Sequence, residues 1–172
     1  MATSKGQPQR RQDGSTVVAT NRRARRDYDI LDEFEAGLVL AGSEVKSLRE
    51  STVTLAESYA RMDDGELWLQ SLHIAPYRHA GTSTGHDPDR PKKLLLHRGE
   101  LNRIKARLDQ DRLTVVPLVL YFKQGRAKML IGLARGRRKG DKRQAIAEQD
   151  AQREARHALG RATTAGATDS RP

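Results

Sequence analysis

Six of the nine residues from Arg135 to Arg143 are lysine or arginine, the side chains that proteins use to neutralise phosphate groups. The other three are two glycines and an aspartate, so this run offers no large apolar side chain to a core. A second cluster, Asn21–Arg26, has four arginines among its six residues. Two basic clusters in one chain indicate a protein that binds a polyanion such as a nucleic acid.

The formal charge of +10 is carried by the two ends of the chain rather than by its middle. Residues 1–26 contain seven lysines and arginines against one acid, and residues 135–172 contain ten against five. Residues 27–134 contain fifteen against sixteen. Because neither basic arm has the bulky apolar face of a helix that lies on a membrane, nucleic acid is the expected partner. Arms that merely keep the protein soluble are the alternative.

Two common nucleotide-binding patterns, G-x-x-x-x-G-K-[ST] and G-x-G-x-x-G, are absent from the sequence. The pattern G-x-S-x-G occurs once, at residues 81–85, but within a loop rich in Gly, Thr, Ser, Pro and His rather than between a strand and a helix. The chain has no cysteine, which excludes disulfides and thiolate sites and is typical of a reducing cytoplasm. His79 and His86, with Asp87, lie in one loop, but no further ligand at a suitable spacing completes a metal site. We therefore expect a cytoplasmic binding protein without cofactor, metal or membrane span, and not an enzyme.

The middle of the chain has the alternating pattern of antiparallel strands. Apolar residues occupy the even positions from Tyr28 to Leu40, except that Asp32 interrupts the alternation and predicts a bulge. The turn sequence Asp63-Asp64-Gly65 predicts a hairpin between strands at 52–62 and 66–74.

Two further strands and two helices complete the predicted fold. Leu113–Phe122 is the most apolar segment, and Pro117 within it predicts an edge strand or a bulged strand. Ala127–Ala134 alternates as the last strand, and helices are predicted at 42–49 and 98–109. These elements predict a mainly β fold, an OB-fold-like closed antiparallel barrel with two or three short helices.

Two side chains carry more specific predictions. Ser43 is the expected N-cap of the first predicted helix. Trp68 lies on the side of its strand opposite to its two leucine neighbours. We expect it to fill the interior, because there are few other aromatic residues, and a platform for base stacking is the alternative.

The chain is predicted to have four segments. Residues 1–20 are expected to be a disordered lead, and residues 21–134 the RNA-binding barrel. Residues 135–160 are expected to be a basic hinge and a tail that becomes helical on a template. Residues 161–172 are expected to be a disordered C-terminus.

Several short motifs together resemble the SmpB family, the SsrA-binding proteins that partner transfer-messenger RNA. The motifs are Asn21-Arg22-Arg23-Ala24-Arg25, Phe34-Glu35-Ala36-Gly37, Gly42-Ser43-Glu44-Val45-Lys46-Ser47-Leu48-Arg49, Ser58-Tyr59, Lys93-Leu94-Leu95-Leu96, Ile131-Gly132-Leu133-Ala134 and Asp141-Lys142-Arg143. They occur in the order of the family over residues 21–159. The chain departs from the usual pattern at His97, where asparagine is usual, and at Gly140, where histidine is common.

The resemblance implies an OB-type barrel that clasps the tRNA-like domain of transfer-messenger RNA. It also implies that the protein, with elongation factor Tu, delivers this RNA to stalled ribosomes in trans-translation. The tail would turn helical in the empty mRNA channel, next to the decoding region of the small subunit. We expect a monomer. An OB-type factor that binds rRNA or tRNA generally is the alternative.

The resemblance and the basic clusters also give candidate site residues. The RNA face is expected to use Glu35, Leu95 and His97, with Lys46, Arg49 and Lys128 nearby. Further expected RNA-binding residues are Arg23, Arg25, Arg26, Tyr28, Lys92, Lys93 and Arg135. The ribosomal tail is expected to use Gly136, Arg137, Arg138, Lys139, Asp141, Lys142, Arg143 and Ile146. We expect Glu35 to accept a hydrogen bond from RNA or to orient a neighbouring arginine.

Overall fold

The computed structural model describes residues 14–50, 53–77, 86–137, 147–148 and 150–152. The chain divides after Gly136 into two units, and the first contains every strand described. The strands are β1 (Thr16–Thr20), β2 (Tyr28–Leu38), β3 (Tyr59–Asp63), β4 (Glu66–Gln70), β5 (Lys92–Leu95), β6 (Thr114–Lys123) and β7 (Arg126–Gly136). The helices of this unit are α1 (Arg22–Asp27), α2 (Gly42–Glu50) and α3 (Arg98–Gln110). In the second unit, residues 147–148 and 150–152 are helical.

All strand pairings are antiparallel. From β6 the pairings run through β3, β4, β5, β2 and β7 and return to β6, while β1 pairs with another part of β6. The return from β3 to β6 depends on one residue pair, Ala60 opposite Val115. The prediction of a mainly β, antiparallel fold with a few short helices is confirmed.

A bulge in β2 lets one strand serve two apolar clusters. The bulge predicted at Asp32 is at Leu31, because Ile30 and Asp32 lie opposite consecutive residues of β7. Before the bulge, Tyr28 and Ile30 pack in a small cluster. After it, Phe34 and the next two even-numbered residues belong to the main core. The even positions of β2 therefore face two different sides of the sheet, because an extra residue reverses the alternation.

Pro117 predicted that strand β6 is either an edge strand or a bulged strand, and the structure shows a bulged strand. Its register with β7 shifts between Pro117 and Val119. The carbonyl oxygen of Pro117 accepts a hydrogen bond from Asn21 Nδ2 at 2.9 Å, so the bulge anchors the residue that precedes α1. A proline is tolerated here because it lies where the ladder is already interrupted.

The two predicted helices are present, with one correction. Helix α2 begins one residue before Ser43, so Ser43 lies inside the first turn and its prediction as N-cap is wrong. The carboxylate of Glu44 instead accepts a hydrogen bond from the Ala41 N–H at 2.7 Å. Helix α3 covers the predicted 98–109 and one residue more, and it places Ile104 in the main core.

The predicted hairpin is present, but its strands are shorter than predicted, because β3 begins at Tyr59 and β4 ends at Gln70. Two predicted segment boundaries are also wrong. Thr16–Thr20, predicted as part of the disordered lead, form β1, because β-branched threonine and valine suit a strand that pairs with β6. At the other end, Arg135 and Gly136 still pair with β2, so they are strand residues rather than the start of a hinge. Residues 1–13 and 153–172 of the predicted lead and tail lie outside the described residues. No helix among the described residues is long and apolar enough to cross a membrane.

Candidate nucleic-acid interface

A groove of about 650 Å³ lies where β2, β5 and β7 meet the start of α3 and the turn between β6 and β7. Its lining residues are Glu35, Gly37, Leu38, Leu40, Val45, Leu95, Leu96, His97, Glu100, Gly125, Arg126, Ala127 and Lys128. Four of them, Glu35, Leu95, His97 and Lys128, are residues that the resemblance assigns to the RNA face or its surroundings. The fold brings these four together from three separate segments of the chain.

The strand register explains how the groove is assembled. Gly37 of β2 lies opposite both Leu95 of β5 and Lys128 of β7. Because side chains alternate along a strand, Leu95 and Lys128 share the outward face with Glu35. A Cβ atom at Gly37 would lie 3.3 Å from the Cβ atom of Leu95, so any side chain there would press on Leu95. Leu95 is 51% exposed and offers an apolar contact beside charged groups.

Glu35 is the centre of a polar network on this face. The hydroxyl of Tyr121 donates a hydrogen bond to Glu35 Oε2 at 2.5 Å. Lys123 Nζ lies 3.4 Å from the same oxygen, and Lys128 Nζ lies 3.6 Å from Oε1. The Tyr121 hydrogen bond, together with the two ammonium groups, lowers the pKa of the Glu35 carboxyl despite partial burial. The ionised carboxylate therefore contacts two lysines rather than the neighbouring arginine that was one of its two predicted partners. The other predicted role, accepting a hydrogen bond from RNA, stays a prediction.

His97 lies at the edge of the groove, directly before α3. Its side chain is exposed, while its N–H donates to Glu100 Oε2 at 3.0 Å and its carbonyl accepts from the Leu101 N–H. The backbone of His97 is thus fixed by the helix start, and its imidazole is presented to solvent beside the groove.

The two cations predicted on α2 do not line the groove. Lys46 Nζ lies 5.8 Å from the centre of the Tyr77 ring, and the Arg49 guanidinium lies 5.2 Å from the centre of the Phe122 ring. Both side chains are exposed, and contacts of this kind stabilise a cation only modestly. They are therefore surface cations near the groove rather than part of its lining.

The first basic cluster forms the short helix α1, and Asn21 fixes it to the barrel. Asn21 is buried, its side-chain oxygen accepts from the Ala24 N–H at 3.1 Å, and its amide donates to the Leu55 and Pro117 carbonyls. Ala24 is only 1% exposed, so a larger side chain has no room. Asn21 and Ala24 of this basic motif therefore stabilise the attachment of α1 to the barrel.

Three of the four arginines of α1 contact acids of the same chain. Arg23 pairs with Glu57 at 3.2 Å, Arg25 with Glu33 at 2.8 Å and Arg26 with Asp27 at 3.3 Å. Tyr28, predicted as an RNA contact, packs in the small apolar cluster. The pairs of Arg23 and Arg25 are largely exposed, and such pairs are weak enough for a phosphate to compete with the carboxylate.

Lys92 and Lys93 are neighbours in sequence with opposite positions in β5. Lys92 is fully buried, and its ammonium donates to the carbonyl oxygens of Leu72 at 2.6 Å and Pro88 at 2.9 Å. Burial lowers the pKa of Lys92. Its predicted role in RNA binding is corrected, because its charge is enclosed by the protein. Lys93 faces outward and pairs with Glu66 at 2.5 Å.

A second, buried polar cluster fixes the segment before β5. The Glu44 side chain is fully buried and binds Arg90 through both oxygens. His86, weighed above as a metal ligand, instead bonds to Ser43 Oγ and to the carbonyl oxygen of Ile74, each at 2.9 Å. No group of three or more candidate metal ligands occurs among the described residues, and His79 lies outside them.

The remaining predicted residues belong to the tail. Arg135 and Gly136 are exposed at the end of β7, and Arg137 is the first residue of the second unit. The other tail residues, Arg138, Lys139, Asp141, Lys142, Arg143 and Ile146, lie outside the described residues.

Sequence reasoning missed four polar or aromatic participants in this surface. Arg126 and Glu100 line the groove, while Tyr121 and Lys123 bind Glu35. Arg126 carried a signal, because it precedes Lys128 by two positions and alternation puts both on one face. Tyr121 and Lys123 carried none, because their proximity to Glu35 depends on the register of β6 with β7.

Comparisons with known proteins agree on one family. The family model described as SmpB protein matches residues 18–161. An SsrA-binding protein of Frankia casuarinae is 52% identical over 151 residues, which is 88% of this chain and 94% of the relative. An SsrA-binding protein of Mycolicibacterium smegmatis is 53% identical over 145 residues, 84% of this chain and 89% of the relative.

A solved structure supports the same assignment. The chain is similar, with a TM-score of 0.59 and 50% identity, to a structure described as "tmRNA-SmpB: a journey to the center of the bacterial ribosome". The match covers 75% of this chain and 94% of that one. By the family model and by the identity and coverage of these relatives, the chain belongs to the SmpB protein family.

Proposed function

We propose that this protein binds transfer-messenger RNA, the SsrA RNA, and delivers it to stalled ribosomes for trans-translation. The relatives are named SsrA-binding proteins, and the description of the similar solved structure names tmRNA, SmpB and the bacterial ribosome. The observation that carries the proposal for this chain is the groove, in which Glu35, Leu95, His97 and Lys128 converge.

The groove residues suit an RNA with a defined shape better than a generic polyanion. Lys128, Lys123 and Arg126 supply charge for phosphates, and Leu95 supplies an apolar contact for a base or sugar. The Glu35 carboxylate repels phosphate, so the RNA is favoured to bind with its phosphates against Lys123 and Lys128 and away from Glu35. An acid held among cations therefore favours one docking geometry over others and contributes to selectivity.

The basic tail and the other partners complete the proposal. The tRNA-like domain would occupy the groove, with elongation factor Tu on the aminoacylated RNA. The run from Arg137 to Arg143, with Ile146, would enter the mRNA channel next to the small-subunit decoding region and turn helical there. The segments proposed for these tasks are the barrel, predicted at 21–134 and extended to 16–136 by β1 and the end of β7, and the tail at 137–160. Binding rather than catalysis is the proposed activity, as a cytoplasmic monomer.

The experiment is equilibrium binding of the full chain to the tRNA-like domain and to bulk tRNA across a salt series. We expect a preference for the tRNA-like domain that persists as salt rises, and a log–log slope of about −0.7 to −0.9 per phosphate contact. Lys128→Met should reduce that slope by about one contact, and Lys105→Met on the exposed face of α3 is the matched control.

Two outcomes contradict the proposal. Equal binding of both RNAs that disappears with salt would mean that the basic arms act alone, which is the property of a general rRNA- or tRNA-binding factor. An equal effect of Lys128→Met and Lys105→Met would mean that the groove is not the interface. Truncation after residue 140 separates the tail from the barrel, because we expect it to preserve RNA binding while tagging at stalled ribosomes is lost.

A further inference from the structure

Trp68 lies outside the core on the same sheet face as the groove. Its neighbours Leu67 and Leu69 are fully buried, whereas Trp68 is half-buried on the opposite side of β4. The expectation that this ring fills the interior is therefore wrong. Aliphatic residues, Met129 and Phe34 fill the main core instead, and the indole ring lies on the outside of the barrel.

Two cations flank this ring across the sheet. The register places Trp68 opposite Arg61 on β3 and opposite Lys93 on β5. Arg61 is exposed, and no ion pair involves it among the described residues. Side chains directly opposite on neighbouring strands have Cβ atoms about 4.5–5.5 Å apart, so the three form one row: cation, indole, cation.

The row continues into the groove. Beyond Lys93, Val39 is 41% exposed, and its N–H donates to the Lys93 carbonyl at 3.0 Å. Leu95, two residues along β5 from Lys93, lies on the same outward face and lines the groove. The surface from Trp68 to Leu95 is thus one apolar strip interrupted by a lysine, and it joins the groove without crossing an edge of the sheet.

We infer that Trp68 is a stacking platform for an unpaired RNA base, with Arg61 and Lys93 contacting the phosphates on either side of it. This deepens the proposed function, since the strip would bind a splayed loop of the RNA whose body occupies the groove. Aromatic rings beside cations bind single-stranded nucleic acid in this way, because every base has a flat face to stack. The acids Asp63 and Asp64 at the hairpin tip direct the RNA backbone away from the tip and toward Leu95. Lys93 also pairs with Glu66, and this pair is accessible enough to solvent for a phosphate to compete with the carboxylate.

Trp68 is the only tryptophan in the chain, so its own emission reports on the site. The experiment titrates the full chain with the tRNA-like domain of transfer-messenger RNA and, separately, with bulk tRNA and a single-stranded oligouridine. We expect saturable quenching, with the same midpoint as an independent binding measurement. Binding of the tRNA-like domain with unchanged emission would overturn the inference.

Three variants separate stacking from charge and from folding. Trp68→Leu should weaken binding of the tRNA-like domain by about 5- to 30-fold without changing the salt slope, because it removes no phosphate contact. Trp68→Phe keeps an aromatic face and should stay within about 3-fold of the wild type. Arg61→Met should instead reduce the slope by about one contact.

The outcomes also distinguish this inference from the proposed function. If Trp68 only covers the sheet, Trp68→Leu lowers the unfolding temperature but leaves every RNA affinity unchanged, and the inference fails. If the wild type shows no preference for the tRNA-like domain while oligouridine still quenches Trp68, the proposed function fails and the platform stands.

Discussion

Glu35 and Glu44 lie nine residues apart, each paired with at least one basic side chain, and the fold gives them opposite roles. Glu35 is on the outward sheet face with Tyr121 and two lysines, and its side chain is 40% exposed. Glu44 is fully buried against Arg90. The exposed cluster keeps its cations within reach of a ligand, whereas the buried cluster uses them to fix α2 to the segment before β5. A basic residue in a family motif is therefore not by itself a phosphate contact.

The largest expected effect comes from breaking the buried cluster. Glu44→Gln should lower the free energy of unfolding by about 2–4 kcal/mol, because Arg90 is left with a poorer partner inside the protein. The matched control is Glu33→Gln, which breaks an exposed pair with Arg25 and should cost less than about 1 kcal/mol. Urea unfolding measures both. Equal losses of unfolding free energy in the two variants would mean that the buried Glu44–Arg90 pair is no more important for stability than the exposed Glu33–Arg25 pair.

Lys92 and Lys93 sharpen the comparison within one strand. Lys92→Met should lower the free energy of unfolding by about 1–3 kcal/mol, because the carbonyls of Leu72 and Pro88 lose their donor, and it should leave the salt slope of RNA binding unchanged. Lys93→Met should reduce the slope by about 0.7–0.9 and change stability by less than about 1 kcal/mol. A reduced slope in Lys92→Met would contradict the enclosure of its charge.

The buried lysine also predicts a pH dependence. Because burial lowers the pKa of Lys92 in the folded protein, the unfolded chain binds more protons between that lowered value and the ordinary value of 10.5. The contribution of Lys92 to stability should therefore rise as pH increases through this window. Urea unfolding at a series of alkaline pH values should show a steeper rise in the wild type than in Lys92→Met, with Lys93→Met resembling the wild type.

The smallest effect concerns the exposed carboxylate. Tyr121→Phe should raise the pKa of Glu35 toward its ordinary value of 4.5, because it removes the strongest hydrogen bond to the ionised form. A lowered carboxyl pKa contributes stability that is lost as pH falls through the folded value, so the variant should lose less on acidification. Carbon NMR titration of the Glu35 carboxyl measures the shift. Tyr28→Phe, in the same apolar cluster, is the control and should leave that titration unchanged.

Alternation and turn chemistry predicted the strands, but not where their faces change. The pattern of β2 located its bulge to within one residue, yet it did not show that Tyr28 and Phe34 face opposite sides. The strand β1 was missed because five residues beside a polar lead give little periodicity, and only the available edge of β6 makes them a strand.

The residues of the candidate site were predictable where a family motif or strand alternation identifies them, and not where only the fold brings them together. Family motifs identified Glu35, Leu95, His97 and Lys128, and the fold brings them together. Alternation within β5 already separates Lys92, in phase with the buried Leu94, from Lys93, in phase with Leu95. The Tyr121 contact was not predictable, because residues 35 and 121 meet only through two strand registers.

The most direct test of the interface is amine labelling of all lysines by mass spectrometry, with and without the tRNA-like domain of transfer-messenger RNA. We expect the RNA to protect Lys128, Lys123 and Lys93 from labelling and to leave the labelling of Lys105 on α3 unchanged. Lys92 should be unreactive both with and without RNA as long as the protein is folded. Protection of Lys105 with continued reactivity of Lys128 would contradict the assignment of the groove as the RNA-binding surface.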